Sequence, residues 1–293
     1  MNNVQTPFYF GGVASVTASL FSHPGDLIKV RLQTYRGEMK SVLSVLFGIY
    51  RTEGIFGYFN GLSANILRQG TYSTVRFGVY EAIRDRYKNK NGNVSMHVSL
   101  IGGMIGGALG GCVGNPSDVA LVRMQNDNKL PENMRRNYKN VFDGIFRIYR
   151  EEGFKALYNG FGPNIGLSVV MTATQVGTYD LFKQMLVYFG MSGSSTQTHL
   201  ASSILASLVA ATAVSPIDVA KTRIMDSKTK VYSGLFDALI RIPREEKFIA
   251  LFKGWTPAFL RLAPHTIIMF LVLERMKAGY IRYQEKGGKL LLQ

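Results

Sequence analysis

Asp26, Asp118 and Asp218 each stand two residues after a proline (Pro24, Pro116, Pro216), inside otherwise apolar stretches. A carboxylate in such a place is costly unless it meets a cation or water. Lys29 and Lys221 follow two of these aspartates one helical turn later, whereas the third set has Leu121 there. Gln33 and Gln125 lie one turn further on, with Met225 as their counterpart. A second group repeats an acid-x-x-base spacing: Glu81 with Arg84, Asp180 with Lys183, and Glu274 with Lys277. Arg68 and Arg261 form a third group. A guanidinium grips a carboxylate through two parallel hydrogen bonds, so two of them suit the two ends of a small dianion. The plainer use of these arginines is a structural ion pair or a lipid headgroup contact, against which their depth and symmetric placement argue.

The elements that must position these groups come from a threefold repeat, which fixes the architecture before any secondary structure is assigned. PGDLIKVRLQ from Pro24 returns as PSDVALVRMQ from Pro116 and PIDVAKTRIM from Pro216, at spacings of 92 and 100 residues. Downstream of each comes an acidic turn (Glu53-Gly54, Glu152-Gly153, Glu246-Lys247), then Phe59-Asn60-Gly61, Tyr158-Asn159-Gly160 and Phe252-Lys253-Gly254. Seven residues past those glycines lie Arg68, Leu167 and Arg261. One turn on are Tyr72, Met171 and His265, and another turn gives Arg76, Gln175 and Met269. Arg68, Tyr72 and Arg76 thus share a helix face. Ser168 adds a weak donor beside Leu167, and Met171 and Met269 read as packing residues. The repeats divide the chain into residues 1–94, 95–195 and 196–293, with Gly/Asn and Gly/Ser clusters at the joints. The extra length of the middle repeat falls in a polar stretch, Asn128 to Asn137, expected to be a surface loop.

Each repeat holds two apolar stretches of roughly 20–25 residues, enough to span a bilayer core. Between them lies a shorter amphipathic segment, such as Ser41 to Thr52 or Val141 to Glu151, suited to the interface. Gly103, Gly107 and Gly111 recur at a spacing that lets helices approach closely. The expected fold is an all-α membrane protein of six spans; a soluble helical protein could carry the same stripe, but not this number of spans.

The formal charge of +15 over 293 residues calls for an anionic partner. Nucleic acid would want that charge on one solvated face, and here much of it lies within glycine-rich apolar stretches, so no nucleic acid is expected. Cys112 is the single cysteine, and His23, His97, His199 and His265 have no metal-ligand spacing, so neither a disulfide framework nor a metal is expected. No secretory signal pattern opens the chain. Without a nucleophile-base pair near the repeat axis, an enzyme is not expected, nor is a cofactor.

The thrice-repeated Pro-x-Asp-x-x-x-x-Arg pattern, with lysine three residues after the aspartate in the first and third copies, at this spacing and over almost the whole chain, resembles the mitochondrial carrier family. Within it, MQNDNKLPENMRRNYKN, RQGTYSTVRFG and RLAPHTIIMF are similar to the dicarboxylate carriers. The resemblance implies a pseudo-threefold bundle of six transmembrane helices in the mitochondrial inner membrane. Short amphipathic helices would lie on the matrix side and both termini would face the intermembrane space. It implies a monomer that binds cardiolipin, partly through the Phe252-Lys253-Gly254 step at a helix start. It also implies alternating access between a matrix gate (Asp26, Lys29, Gln33, Asp118, Gln125, Asp218, Lys221) and a cytosolic gate (Glu81, Arg84, Asp180, Lys183, Glu274, Lys277). By the family's geometry Asp118 pairs with Lys221 and Asp218 with Lys29, so that Asp26 lacks a partner from the middle repeat and the gate is weakened. Gln33 and Gln125 stand where the family places a bracing glutamine, and Met225 cannot serve that role. On the other side Glu81 would meet Lys183, Asp180 Lys277, and Glu274 Arg84. The substrate positions would be Arg68, Tyr72, Arg76, Leu167, Ser168, Gln175, Arg261 and His265. The implied activity is exchange of malate or succinate for phosphate or another small dianion. Leu167, where dicarboxylate carriers usually have arginine, keeps oxaloacetate, oxoglutarate or sulfate open. With Leu121 and Met225 it also admits a non-transporting relative acting in assembly or regulation.

Overall fold

The computed structural model describes residues 9–36, 40–88, 94–192, 195–227 and 231–290, apart from the side chains of Met96, Thr172, Gln175, Val176, Thr196, His199, Leu200, Leu262, Ala263, Thr266, Phe270, Ile281 and residues 283–290. Nine α-helices account for most of them. Six are long: α1 (Phe10–Gln33), α3 (Leu62–Arg86), α4 (Met96–Asn126), α6 (Phe161–Tyr188), α7 (Thr196–Asp226) and α9 (Trp255–Leu290). The three short ones, α2 (Val42–Glu53), α5 (Val141–Glu152) and α8 (Leu235–Glu246), each link the two long helices of a repeat and fall where the amphipathic segments were expected.

The long helices close a ring in the order α1, α3, α4, α6, α7, α9 and back to α1. The three that carry Pro24, Pro116 and Pro216 also touch one another, as a threefold arrangement requires. Each repeat has its own apolar core at the proline end. Leu27, Ile28, Leu32 and Ile49 build the first, Val119, Val122 and Ile148 sit in the second, and Val219, Ala238 and Ile242 in the third. Away from that end the bundle is inverted relative to a soluble protein. Phe21, Ile101, Ile105, Leu109, Val113, Ile204, Leu260 and Ile267 face outward, whereas Ser15, Ser19, Asn65, Gln69, Ser73, Asn164 and Ser202 are buried. An apolar exterior round a polar interior is stable only against an apolar surrounding.

Six comparably apolar spans were expected from the sequence. Among the described residues, two stretches are long and apolar enough to cross a membrane on those grounds alone, His97–Lys129 and Ala201–Asp226. The other long helices are less apolar: α3 carries Arg68, Arg76, Glu81 and Arg84, whereas α6 has only two charges, Asp180 and Lys183, but many small and polar residues.

The glycine stripe on α4 is real but displaced. The close approach to α3 is made by Gly102, Gly106 and Gly110; a Cβ at Gly106 would lie 2.7 Å from the Arg76 carbonyl oxygen and one at Gly110 2.8 Å from that of Tyr72. Gly107 and Gly111 instead face Ser168 and Asn164 of α6.

The polar stretch from Asn128 to Asn137 is not a free surface loop. Asp127 and Arg136 beside and within it are buried. Asn128 donates to Glu53 at 2.7 Å, Lys129 to the Arg31 carbonyl at 2.8 Å, and Arg136 to the Asp226 carbonyl at 2.7 Å, tying the middle repeat to both others.

Lys253, expected to help hold lipid, turns inward: its Nζ donates to Glu246 at 2.6 Å and to the Tyr35 carbonyl at 2.9 Å.

Candidate functional site

The proline end of the bundle is closed by charge. Lys29 Nζ lies 2.5 Å from Asp218, and Lys221 Nζ lies 2.7 Å from Asp118, so both pairs implied by the repeat pattern are formed. Below the first, Gln33 donates to Asp218 at 2.8 Å and accepts from Thr222 at 2.9 Å. Two expectations fail. Asp26 is not unpartnered: Arg261 Nε of α9 lies 2.9 Å away. Gln125 is fully buried yet braces nothing, and neither of its side-chain polar atoms has a partner. Both follow from Leu121, which leaves Asp26 without a lysine and Gln125 without a pair to brace.

Arg68 joins the same ring, 2.5 Å from the other oxygen of Asp118. Four cations (Lys29, Lys221, Arg68, Arg261) therefore face three carboxylates. Directly above lies a cavity of about 190 Å3 lined by Arg68, Tyr72, Leu167, Ser168, Met171, Trp255, Arg261 and the ring residues. That is below the roughly 300–1,000 Å3 typical of pockets for drug-sized ligands, and suits a small organic or inorganic anion. One wall is cationic. The opposite wall, with Leu167, Met171 and Val214, is apolar. The site has a net positive charge, a polar tip in Tyr72 and a hydroxyl in Ser168.

Not every expected residue reaches it. Arg76 stacks on the Tyr72 ring, its guanidinium carbon 6.0 Å from the centroid, and does not line the cavity. His265 is taken up by Ser22, whose Oγ is 3.1 Å from Nδ1, and is likewise not in the wall. The Gln175 side chain lies outside the described residues.

At the far end, none of the three pairs expected for the second network is formed among the described residues. Arg84 is 3.8 Å from its neighbour Asp85, and neither Glu81 nor Glu274 meets a base. The chain is thus shut at one end by ion pairs and unlatched at the other.

The sequence reading missed two sets of interactions. Arg31, Arg123 and Arg223, the second base of each motif, pair with Glu53, Glu152 and Glu246 at the ends of the short helices. Each also donates from Nε to the backbone of a neighbouring repeat, at Gln125 (3.0 Å), Met225 (3.1 Å) and Gln33 (2.9 Å) respectively. The recurring arginine and glutamate were visible as repeat markers; their contact was not. The second set involves the residue before each proline. His23 donates to the Asn60 carbonyl at 3.0 Å and accepts from Asn65 at 2.9 Å, Asn115 donates to the Leu157 carbonyl at 2.8 Å, and Ser215 to that of Leu251 at 3.2 Å.

Comparison with known proteins follows the same repeats. The family profile described as "Mitochondrial carrier protein" matches residues 2–91, 92–189 and 192–284. A Dictyostelium discoideum protein named probable mitochondrial 2-oxoglutarate/malate carrier protein is 46% identical over 279 residues, covering 92% of this chain and 88% of its own. A Candida glabrata mitochondrial dicarboxylate transporter is 43% identical, covering 94% and 95%. A Caenorhabditis elegans mitochondrial dicarboxylate carrier is 42% identical, covering 93% and 94%.

Proposed function

The chain belongs to the mitochondrial carrier family, and from that premise we propose that it exchanges small dianions across the mitochondrial inner membrane by alternating access. Malate or succinate is exchanged for phosphate or another dianion. The observation that carries this reading is the pair Arg68 and Arg261, which lie on one small cavity above an ion-paired floor. Two guanidiniums on one wall fit two carboxylates, and the apolar wall at Leu167 and Met171 fits the methylenes between them. Relatives named for dicarboxylates and for 2-oxoglutarate with malate support the same class of cargo.

The six long helices act as six spans. The charge that several of them carry lies largely against the bundle interior or at helix ends, while the exterior is apolar. The ion-paired proline end faces the matrix and the termini face the intermembrane space. In this conformation the substrate enters from the cytosolic side, and Glu81, Asp180 and Glu274 pair with Lys183, Lys277 and Arg84 when that side closes. The protein works as a monomer. Cardiolipin binds at the starts of the even-numbered spans, held by backbone N–H groups because Lys253 is engaged with Glu246.

The test is uptake of labelled malate, phosphate and oxoglutarate into liposomes holding the purified protein, preloaded with each anion in turn. Exchange of malate and phosphate is expected, and Arg68→Ala or Arg261→Ala should reduce it at least about a hundredfold, the cost of roughly 3 kcal/mol for a lost charge-assisted pair. Exchange of malate with oxoglutarate, excluding phosphate, would favour the 2-oxoglutarate reading. No exchange of any anion would point to a non-transporting assembly or regulatory factor.

A further inference from the structure

The three aspartates at the threefold axis are equivalent in sequence and unequal in partners. Asp218 is held by Lys29 at 2.5 Å and by the Gln33 amide at 2.8 Å. Asp118 is held by Lys221 at 2.7 Å and Arg68 at 2.5 Å. Asp26 faces Leu121 instead of a lysine, and its cation is Arg261 at 2.9 Å. That arginine comes from α9, whereas the ring lysines come from α1 and α7, which carry the repeated proline motif. Its Nε is close to the carboxylate but not aligned with it as a hydrogen bond, and among the described residues it has no other acceptor. Independently, Gln125 sits where Gln33 sits in the first repeat, 0% exposed, with both amide atoms unpartnered. It is a brace whose ion pair is missing.

We propose that Arg261 closes the ring at Asp26 in place of a base at position 121, and that a bound dianion unlatches that side by drawing the same guanidinium away. The proposal rests on the carrier reading above. Arg261 beside the largely covered, 15% exposed Asp26 carboxylate gains by pairing with it, and so rests on Asp26. An entering dicarboxylate offers a better aligned, bidentate partner. Asp26 is then left uncompensated in a dry site and must gain water, which breaks the ring. Opening is thereby tied to occupancy, because the ligand binds the unlatched state better by the pair it captures.

The proposal is tested on the full chain by thermal unfolding in detergent without substrate, and by malate exchange in liposomes. Arg261→Leu should lower the melting temperature by several degrees. Adding Leu121→Lys should restore it, because a lysine there stands to Asp26 as Lys29 stands to Asp218, while exchange remains lost. Leu121→Lys alone should raise the melting temperature and cut the maximal exchange rate about tenfold, since Asp26 stays latched after Arg261 leaves. If Arg261→Leu does not fold, the Leu121→Lys/Arg261→Leu protein is compared with the same protein carrying Asp26→Asn, in which the stabilisation by lysine must vanish. A lysine that stabilises neither background, or both equally, overturns the role of Arg261 in the ring whatever the exchange assay shows. A double variant that regains both stability and exchange overturns its shared use by ring and ligand. A wild-type protein that exchanges nothing, yet shows the stability pattern, sinks the carrier reading and leaves the ring assignment standing.

Discussion

At the scale of single residues, the arginines that bind no ligand carry as much of the structure as those facing the cavity. Arg123 is fully buried; it pairs with Glu152 and donates to the carbonyls of Met225 at 3.1 Å and Ser227 at 3.3 Å. Removing it strands one carboxylate and two carbonyls, so Arg123→Ala should cost about 3 kcal/mol or more and lower the melting temperature in detergent. Glu53 and Glu246 report the same latches through pH. Burial alone would raise both carboxyls, but the hydrogen bonds and charge of Arg31 and Arg223, with help from Asn128, Asn60 and Lys253, outweigh it and hold both below their ordinary value of 4.5. A depressed carboxyl stabilises the fold above its unfolded-state value and loses that contribution as pH falls toward the folded-state value. Thermal stability should therefore decline below about pH 4.5, and Glu53→Gln should be less stable at neutral pH with a shallower acid decline.

At the scale of elements, each repeat turns from its 3-10 segment into the next long helix through a glycine with positive φ, and of the three Gly254 lies closest to a neighbouring backbone. Its φ is +82°, and an added Cβ would lie 2.9 Å from Gln33 and 3.0 Å from the Lys29 carbonyl oxygen. A left-handed backbone costs a residue with a side chain about 1–2 kcal/mol before any clash. Gly254→Ala should thus destabilise by at least about 2 kcal/mol, measured by thermal unfolding, and should shift the Lys29–Asp218–Gln33 contact that lies against it. The short helices act as struts. Their acidic ends meet the arginines of the proline helices, so each strut fixes the angle at which its repeat joins the ring.

At the scale of the whole molecule, a latched end opposite an unlatched one defines one member of a two-state pair. Asp180 makes no ion pair among the described residues, so Asp180→Asn should leave thermal stability within about 0.5 kcal/mol. Its place is in the other state, where loss of one charge pair should slow malate exchange about tenfold. Equal loss of stability and exchange would mean that the far-end charges already act in the closed conformation.

The sequence by itself determined the threefold repeat and the six long and three short helices, because each is written as spacing within a repeat; none of the far-end pairs it also suggested is formed among the described residues. Pairs between equivalent motifs, Lys29 with Asp218 and Lys221 with Asp118, came from the family resemblance that the repeats carry, and both are formed. Contacts that break the symmetry were not legible. The capture of Asp26 by Arg261, the stranded Gln125, the withdrawal of His265 to Ser22 and the tie from Arg136 of the middle insertion to the Asp226 carbonyl all depend on residues that no repeat relates. Only packing six helices round one axis brings such groups within reach, and a buried charge whose symmetric partner is absent takes whichever cation the fold has placed nearest.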